Sequence, residues 1–161
     1  MITKEAVDAD FADVATFLRR ELRACGFDSH TSEVRVRALF MSSRRRFTLL
    51  REEGIIVAVG AMHPIETERG SAYQMVVLVS SFAHPDRVRV LDRLSLFICN
   101  LLRSEGIHIL ISRSPDHPHI ASLFNRYGVV TDSGIDGLRW GSTETTIANI
   151  FRERPEWRPS P

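Results

Sequence analysis

The chain has 161 residues, 43% of them hydrophobic, enough for one core of ordinary size, so a single domain is expected. Its 21 basic and 20 acidic residues leave a net charge of +1, and no global field favours nucleic acid or an anionic membrane. The longest apolar run, Gly54 to Met62, stops at His63-Pro64, well short of the roughly 18 residues that a membrane span needs.

The opening Met1-Ile2-Thr3-Lys4-Glu5, followed by Asp8 and Asp10, lacks the basic start and apolar stretch of a secretory signal, and a cytoplasmic location is expected. Lys4 is the only lysine, and every other basic residue is arginine, which a coding bias explains more simply than ligand chemistry. From Asp10 onward, Phe11, Val14, Ala15, Leu18, Leu22 and Cys25 form one helical stripe, with Asp10 as cap and Gly26 as stop. A less regular helix is expected from Thr31 through Val34, Leu39 and Met41. Arg44, Arg45 and Arg46 close it as a solvated end that complements the helix dipole. Two β-rich runs, beginning at Arg46 and Ile55 and separated by an acidic turn ending in Gly54, predict a hairpin.

A Val-rich strand, Ala72 to Ser81, follows the polar turn Glu66 to Gly70, and its near-continuous apolar character predicts cover on both faces. The longest helix is expected from Pro85 to Glu105, with Val88, Leu91, Leu94, Ile98, Leu101 and Leu102 on one side and Gly106 just past its end. Ile107 to Ser112 is a short strand, and strand, long helix, strand predicts a parallel crossover. A short helix, His117 to Tyr127, ends at Gly128. Val129 to Thr131 and Gly137 to Trp140 read as a last hairpin, Glu144 to Arg152 as a helix docked by Ile147, Ile150 and Phe151, and Pro155 to Pro161 as an extended tail in which Trp157 packs back on the domain. Cys25 and Cys99, both on apolar helix faces, are expected as buried free thiols.

This order of elements resembles the GNAT acyltransferase fold, an α/β class with a mixed central sheet flanked by helices, an N-terminal helix pair and a long helix after the central strand. The most pointed local match is His117-Pro-His-Ile-Ala-Ser-Leu-Phe124-Asn-Arg-Tyr-Gly128-Val129, similar to the family's helix and turn near the acyl group. The likeness covers residues 1–141, leaving 142–161 as a C-terminal extension or tail. It implies acetyl-CoA or another acyl-CoA as cofactor and an amine as acceptor.

By the same resemblance, backbone groups near Leu78 and Val79 on the central strand hold the thioester. The loop and helix start with Arg87, Val88 and Arg89 hold the pyrophosphate, and Phe124 lies beside the cofactor. The family pattern at that loop is Gln or Arg followed by x-x-G-x-G or x-x-G-x-A. Here His84-Pro85-Asp86-Arg87-Val88-Arg89-Val90-Leu91-Asp92 has no glycine, and Asp86 and Asp92 place like charge near an anionic ligand that Arg87 and Arg89 offset. Phe124 stands where many members carry the tyrosine that protonates the departing thiolate; Tyr127, three residues on, supplies a phenol in a neighbouring direction. Position 117, often asparagine in the family, is histidine, and Val129 replaces an aromatic residue.

Candidate bases are His84 and His117, with His63 and His119 weighed beside them. A metal reading of Asp116-His117-Pro118-His119 matches no standard site, and Asp116 as a helix cap is preferred. Two functions follow. The leading one is a GNAT-like, acyl-CoA-dependent N-acyltransferase-type protein with altered consensus positions and weakened or lost activity. The other is a non-catalytic GNAT-fold protein that works with protein partners in an assembly, for example as a bacteriophage virion or morphogenesis component. Nucleic-acid binding through the arginines ranks last, because no aromatic-basic surface pattern accompanies them.

Overall fold

The computed structural model describes residues 1–24, 37, 45–113 and 138–161. Cys25, the second predicted helix apart from Arg37, the short helix from His117 to Tyr127 and the first arm of the last hairpin lie outside these residues. Among the described residues six strands form one mixed sheet in chain order: β1 (Ile2–Glu5), β2 (Arg46–Glu52), β3 (Ile55–Thr67), β4 (Gly70–Ser80), β5 (Ile109–Arg113) and β6 (Leu138–Ser142). Among the described residues the α-helices are α1 (Phe11–Ala24), α2 (Arg87–Ser104) and α3 (Thr143–Glu153). β1 with β2, β2 with β3, and β5 with β6 pair antiparallel, while β4 and β5 pair parallel across the α2 crossover. By backbone proximity the chain divides into two compact units, Met1–His63 with Val76–Leu94, and Pro64–Met75 with Ser95–Pro161.

In the first unit, alternation on β2 turns Phe47 and Leu49 to the face covered by Val14, Ala15, Phe17 and Leu18 of α1, joined by Ile56, Val59, Ala61 and Val79. The β2–β3 turn places Glu53 at φ 50° and Gly54 at φ 84°, the left-handed pair that a two-residue hairpin needs. β3 continues beyond the expected stop at His63-Pro64. The β2 ladder ends at Arg46 opposite Met62, so Pro64 lies past that ladder, where a missing N–H is tolerated.

β1 is not expected from its own four residues. It exists because β2 supplies the partner, from Ile2 opposite Arg51 to Glu5 opposite Thr48, reinforced by Arg46 Nε on Glu5 Oε1 at 2.7 Å. Nor does Asp10 cap α1. Its carboxylate is buried and accepts from Lys4 Nζ at 2.7 Å, the Val7 amide at 2.9 Å and Arg51 at 3.3 Å. Burial opposes the charge of Asp10, but these donors outweigh it and hold the carboxyl below its usual value. Arg51 also bonds Asp13 at 2.7 Å, and that carboxylate, with Asp10, raises its already high pKa.

α2 buries Val90, Leu91, Leu94, Ile98 and Leu102, so the predicted face is present. Two members depart from it: Val88 is 39% exposed and Leu101 is half-buried. The helix begins at Arg87 rather than Pro85, which leaves Val88 in the solvent-facing first turn. Its other end is the expected one. Gly106, at φ 75°, donates to Arg103 O at 3.0 Å while Ile107 N reaches Leu102 O at 2.9 Å, a Schellman ending.

In the second unit, β4 and β5 pair from Ala72 opposite Ile109 to Met75 opposite Ser112. β6 runs directly into α3, whose cap is Ser142: its Oγ accepts from Thr145 N at 2.9 Å. Ile147 and Ile150 are buried as expected, and Glu144 meets His108 Nδ1 at 2.6 Å. Burial pushes against the charge of Glu144, but its backbone bond and His108 lower its pKa. Cys99 is buried and free, and loss of hydration pushes its thiol up to about 12. The tail is not extended throughout: Pro155–Trp157 is a 3-10 turn with Trp157 half-buried and the Arg154 guanidinium 5.2 Å from its ring centre.

Candidate functional site

The site grows from the end of β4. Among the described residues the β4–β5 ladder closes at Met75, and β4 runs on through Val76–Ser80. The expectation that this strand is covered on both faces is corrected here: Val76 is 38% exposed and Leu78 half-buried, while Val79 and Ser80 are buried. An apolar run is equally compatible with protein cover and with a surface left open, so sequence alone does not separate them.

The chain leaves the sheet at Ser81, whose amide donates to Val57 O at 2.8 Å, and turns back at once, with His84 N on Ser81 O at 3.1 Å. Between them, the Phe82 amide donates at 2.7 Å to Oε2 of Glu21, an α1 carboxylate only 3% exposed whose Oε1 accepts from Arg20 Nε at 2.6 Å. The Phe82 ring lies 3.8 Å beneath the Arg87 guanidinium, and Arg87 Nε reaches the buried Ser80 hydroxyl at 3.3 Å. Stacking and the Nε contact together fix the guanidinium plane. Its two terminal nitrogens have no hydrogen-bond partner among the described residues. Such a fork matches two oxygens of a phosphate or carboxylate.

His84 bridges the loop. Its Nδ1 accepts the Asp86 amide at 3.0 Å, which leaves the proton on Nε2 to donate to Glu52 Oε2 at 2.9 Å. Both ring nitrogens are thus engaged within the loop. Asp86 then caps α2: its Oδ1 accepts from Arg89 N at 3.0 Å. The amides of Arg87 and Val88, in the same first turn, have no intrahelical carbonyl to reach, so they and the Arg87 fork are the groups here suited to an anion. Asp86 itself is the competing anion. Asp92 is buried within α2, so of the two acids flagged in the sequence only Asp86 stands exposed at the helix start.

Of the sequence candidates, Leu78, Val79, His84, Arg87, Val88 and Arg89 thus lie on consecutive segments of one unit. Val88 and Arg89 are exposed, and Leu91 is turned into the core. His117, Phe124 and Tyr127, with Asp116 and His119, lie outside the described residues. His63 sits on β3 with Nδ1 buried and unpartnered among the described residues. Glu21, Ser80 and Phe82 are not singled out by sequence reasoning. For Glu21 a signal exists: a carboxylate three residues after Leu18 and seven after Val14, on the apolar stripe of α1, needs a buried partner. No cluster of three metal-ligating side chains occurs among the described residues, and none of their helices is long and apolar enough to cross a membrane.

A mixed sheet whose central strand leads through a tight loop into the N-terminus of a long crossover helix defines the architecture of the GNAT N-acetyltransferases, and this chain has that fold. Solved structures to which it is similar include the GNAT family N-acetyltransferase YhbS from Escherichia coli in complex with CoA, with a TM-score of 0.69 at 13% identity over 91% of this chain and 83% of that one. The ribosomal-protein-alanine N-acetyltransferase from Brucella melitensis biovar Abortus 2308 matches with a TM-score of 0.68 at 14% identity, over 82% of this chain and 94% of that one. Aminoglycoside 6'-acetyltransferase type Ii matches with a TM-score of 0.64 at 15% identity, over 89% and 97%. By sequence, no protein-family model and no curated protein matches.

Proposed function

We propose that the chain is an acyl-CoA-dependent N-acyltransferase in which Arg87, with the first-turn amides of Arg87 and Val88, holds the pyrophosphate of the donor. The observation that carries this reading is the Arg87 guanidinium, held on Phe82 and Ser80 at the start of α2, its terminal nitrogens without a hydrogen-bond partner among the described residues. The fold supports it, since solved relatives in fold are acetyltransferases and one is in complex with CoA. An acyl-CoA supplies an acyl group on a thioester. The chain's part is to place that carbonyl near the backbone of Leu78 and Val79, admit an amine, and move two protons: one off the attacking nitrogen, one onto the departing thiolate. On the sequence, His117 or water takes the first proton and Tyr127 gives the second. With both nitrogens bonded, His84 supports the loop rather than serving as the base.

Calorimetry with acetyl-CoA and longer acyl-CoAs tests the reading. Saturable binding, together with thiol release on adding an amine acceptor, is expected; no heat and no thermal shift at millimolar ligand would remove it. A second reading is favoured by Asp86, whose carboxylate takes the Arg89 amide beside the proposed anion site. It is a non-catalytic use of the scaffold in an assembly, and it predicts oligomers or heteromeric complexes together with absent turnover.

A further inference from the structure

Glu21 is expensive where it stands. A carboxylate 3% exposed, on a helix face otherwise given to Val14, Phe17 and Leu18, loses most of its hydration, and an aliphatic residue there would pack without that cost. Its two oxygens have separate uses. Oε1 takes Arg20 Nε, which balances the charge, and Oε2 takes the Phe82 amide, at the point where the chain leaves β4 and its sheet partners. Removing that oxygen leaves a partly buried N–H with no acceptor and frees the backbone at Phe82. Because the Phe82 ring is the surface on which the Arg87 guanidinium rests, any drift of Phe82 is passed to Arg87.

We infer that Glu21 is a positioning residue for the anion site: through the Phe82 amide it sets the platform that aims the Arg87 fork. The inference rests on the proposed function, since it takes CoA as the anion carrier. The test is the affinity for CoA, by calorimetry well below the unfolding midpoint, of the intact chain and of Glu21→Ala, Glu21→Gln, Phe82→Leu, Arg87→Ala and the Glu21→Ala/Arg87→Ala pair. Glu21→Ala should weaken CoA binding about ten-fold, the size of one charge-assisted hydrogen bond acting through its partner. Glu21→Gln, which keeps an acceptor oxygen for the Phe82 amide, should recover binding to within about three-fold. The double variant should bind no more weakly than Arg87→Ala alone, because both changes remove one contact.

Equal affinity in Glu21→Ala and the intact chain overturns the inference while leaving the proposed function standing, as does a Glu21→Ala loss that adds fully to that of Arg87→Ala. Should Glu21→Ala fail to fold, Phe82→Leu decides alone. It keeps the amide and its bond but removes the platform, and must lose about the same factor; unchanged binding in it overturns the inference. If the intact chain does not bind CoA, the proposed function fails and this inference falls with it.

Discussion

Replacing Asp86 by asparagine removes one negative charge from the start of α2 and little else, because asparagine caps a helix as well as aspartate does. The Asp86 Oδ1 atom sits 3.0 Å from Arg89 N, so a phosphate oxygen cannot take that amide while the cap is in place. A phosphate held instead by the Arg87 and Val88 amides lies about 6 Å from the carboxylate. At that separation two unit charges repel by about 0.7 kcal/mol in bulk water and about 3 kcal/mol at an effective dielectric of 20. For an exposed helix start a value of about 1–2 kcal/mol is expected, or a gain of about five- to thirty-fold in CoA affinity for Asp86→Asn. Calorimetry at low ionic strength reads the gain, and repeating it near 1 M salt should erase most of it, since the screening length there is about 3 Å. Equal or weaker binding by Asp86→Asn at low salt, or a gain that salt does not touch, would refute the assignment of Asp86 as the competing anion.

Three further outcomes follow from groups away from the loop. Asp10→Ala should lower stability by about 2–3 kcal/mol in denaturant unfolding, since it strips acceptors from Lys4, Val7 and Arg51. The folded-state pKa of Asp10 lies below 3.8, so its stabilisation is full above that value and lost as pH falls through the lowered one; the gap between the intact chain and Asp10→Ala should close with acid. Cys99, buried and with its pKa at about 12, should resist a thiol reagent at pH 8 in a Cys25→Ser background and react only on unfolding; rapid native labelling would contradict its burial. Gly54→Ala should cost about 1 kcal/mol in thermal or chemical unfolding. Apart from its chain neighbours, no heavy atom of the described residues lies within 4 Å of the added methyl, so the effect comes from φ 84°.

The class of fold was legible in the chain because its evidence is local. The 3.6-residue stripe from Phe11 to Leu22, the hairpin turn at Glu53-Gly54 and the Gly106 stop each act within a few residues, and each element formed where its pattern stands. The order strand, long helix, strand then implied the parallel β4–β5 pair. The candidate loop was placed through the resemblance, as the turn that follows the Val-rich strand and carries Arg87 and Arg89. The remainder depended on partners far along the chain. Ile2–Glu5 is a strand only because Thr48–Arg51 lies beside it. Asp10 left its role as helix cap for Lys4, Val7 and Arg51. Glu21 found the Phe82 amide 61 residues away. Periodicity records which residues avoid water, and turn chemistry records which backbone angles are allowed. Neither records which buried charge meets which distant amide, and so the aim of Arg87, on which the proposed function rests, was decided only by the tertiary fold.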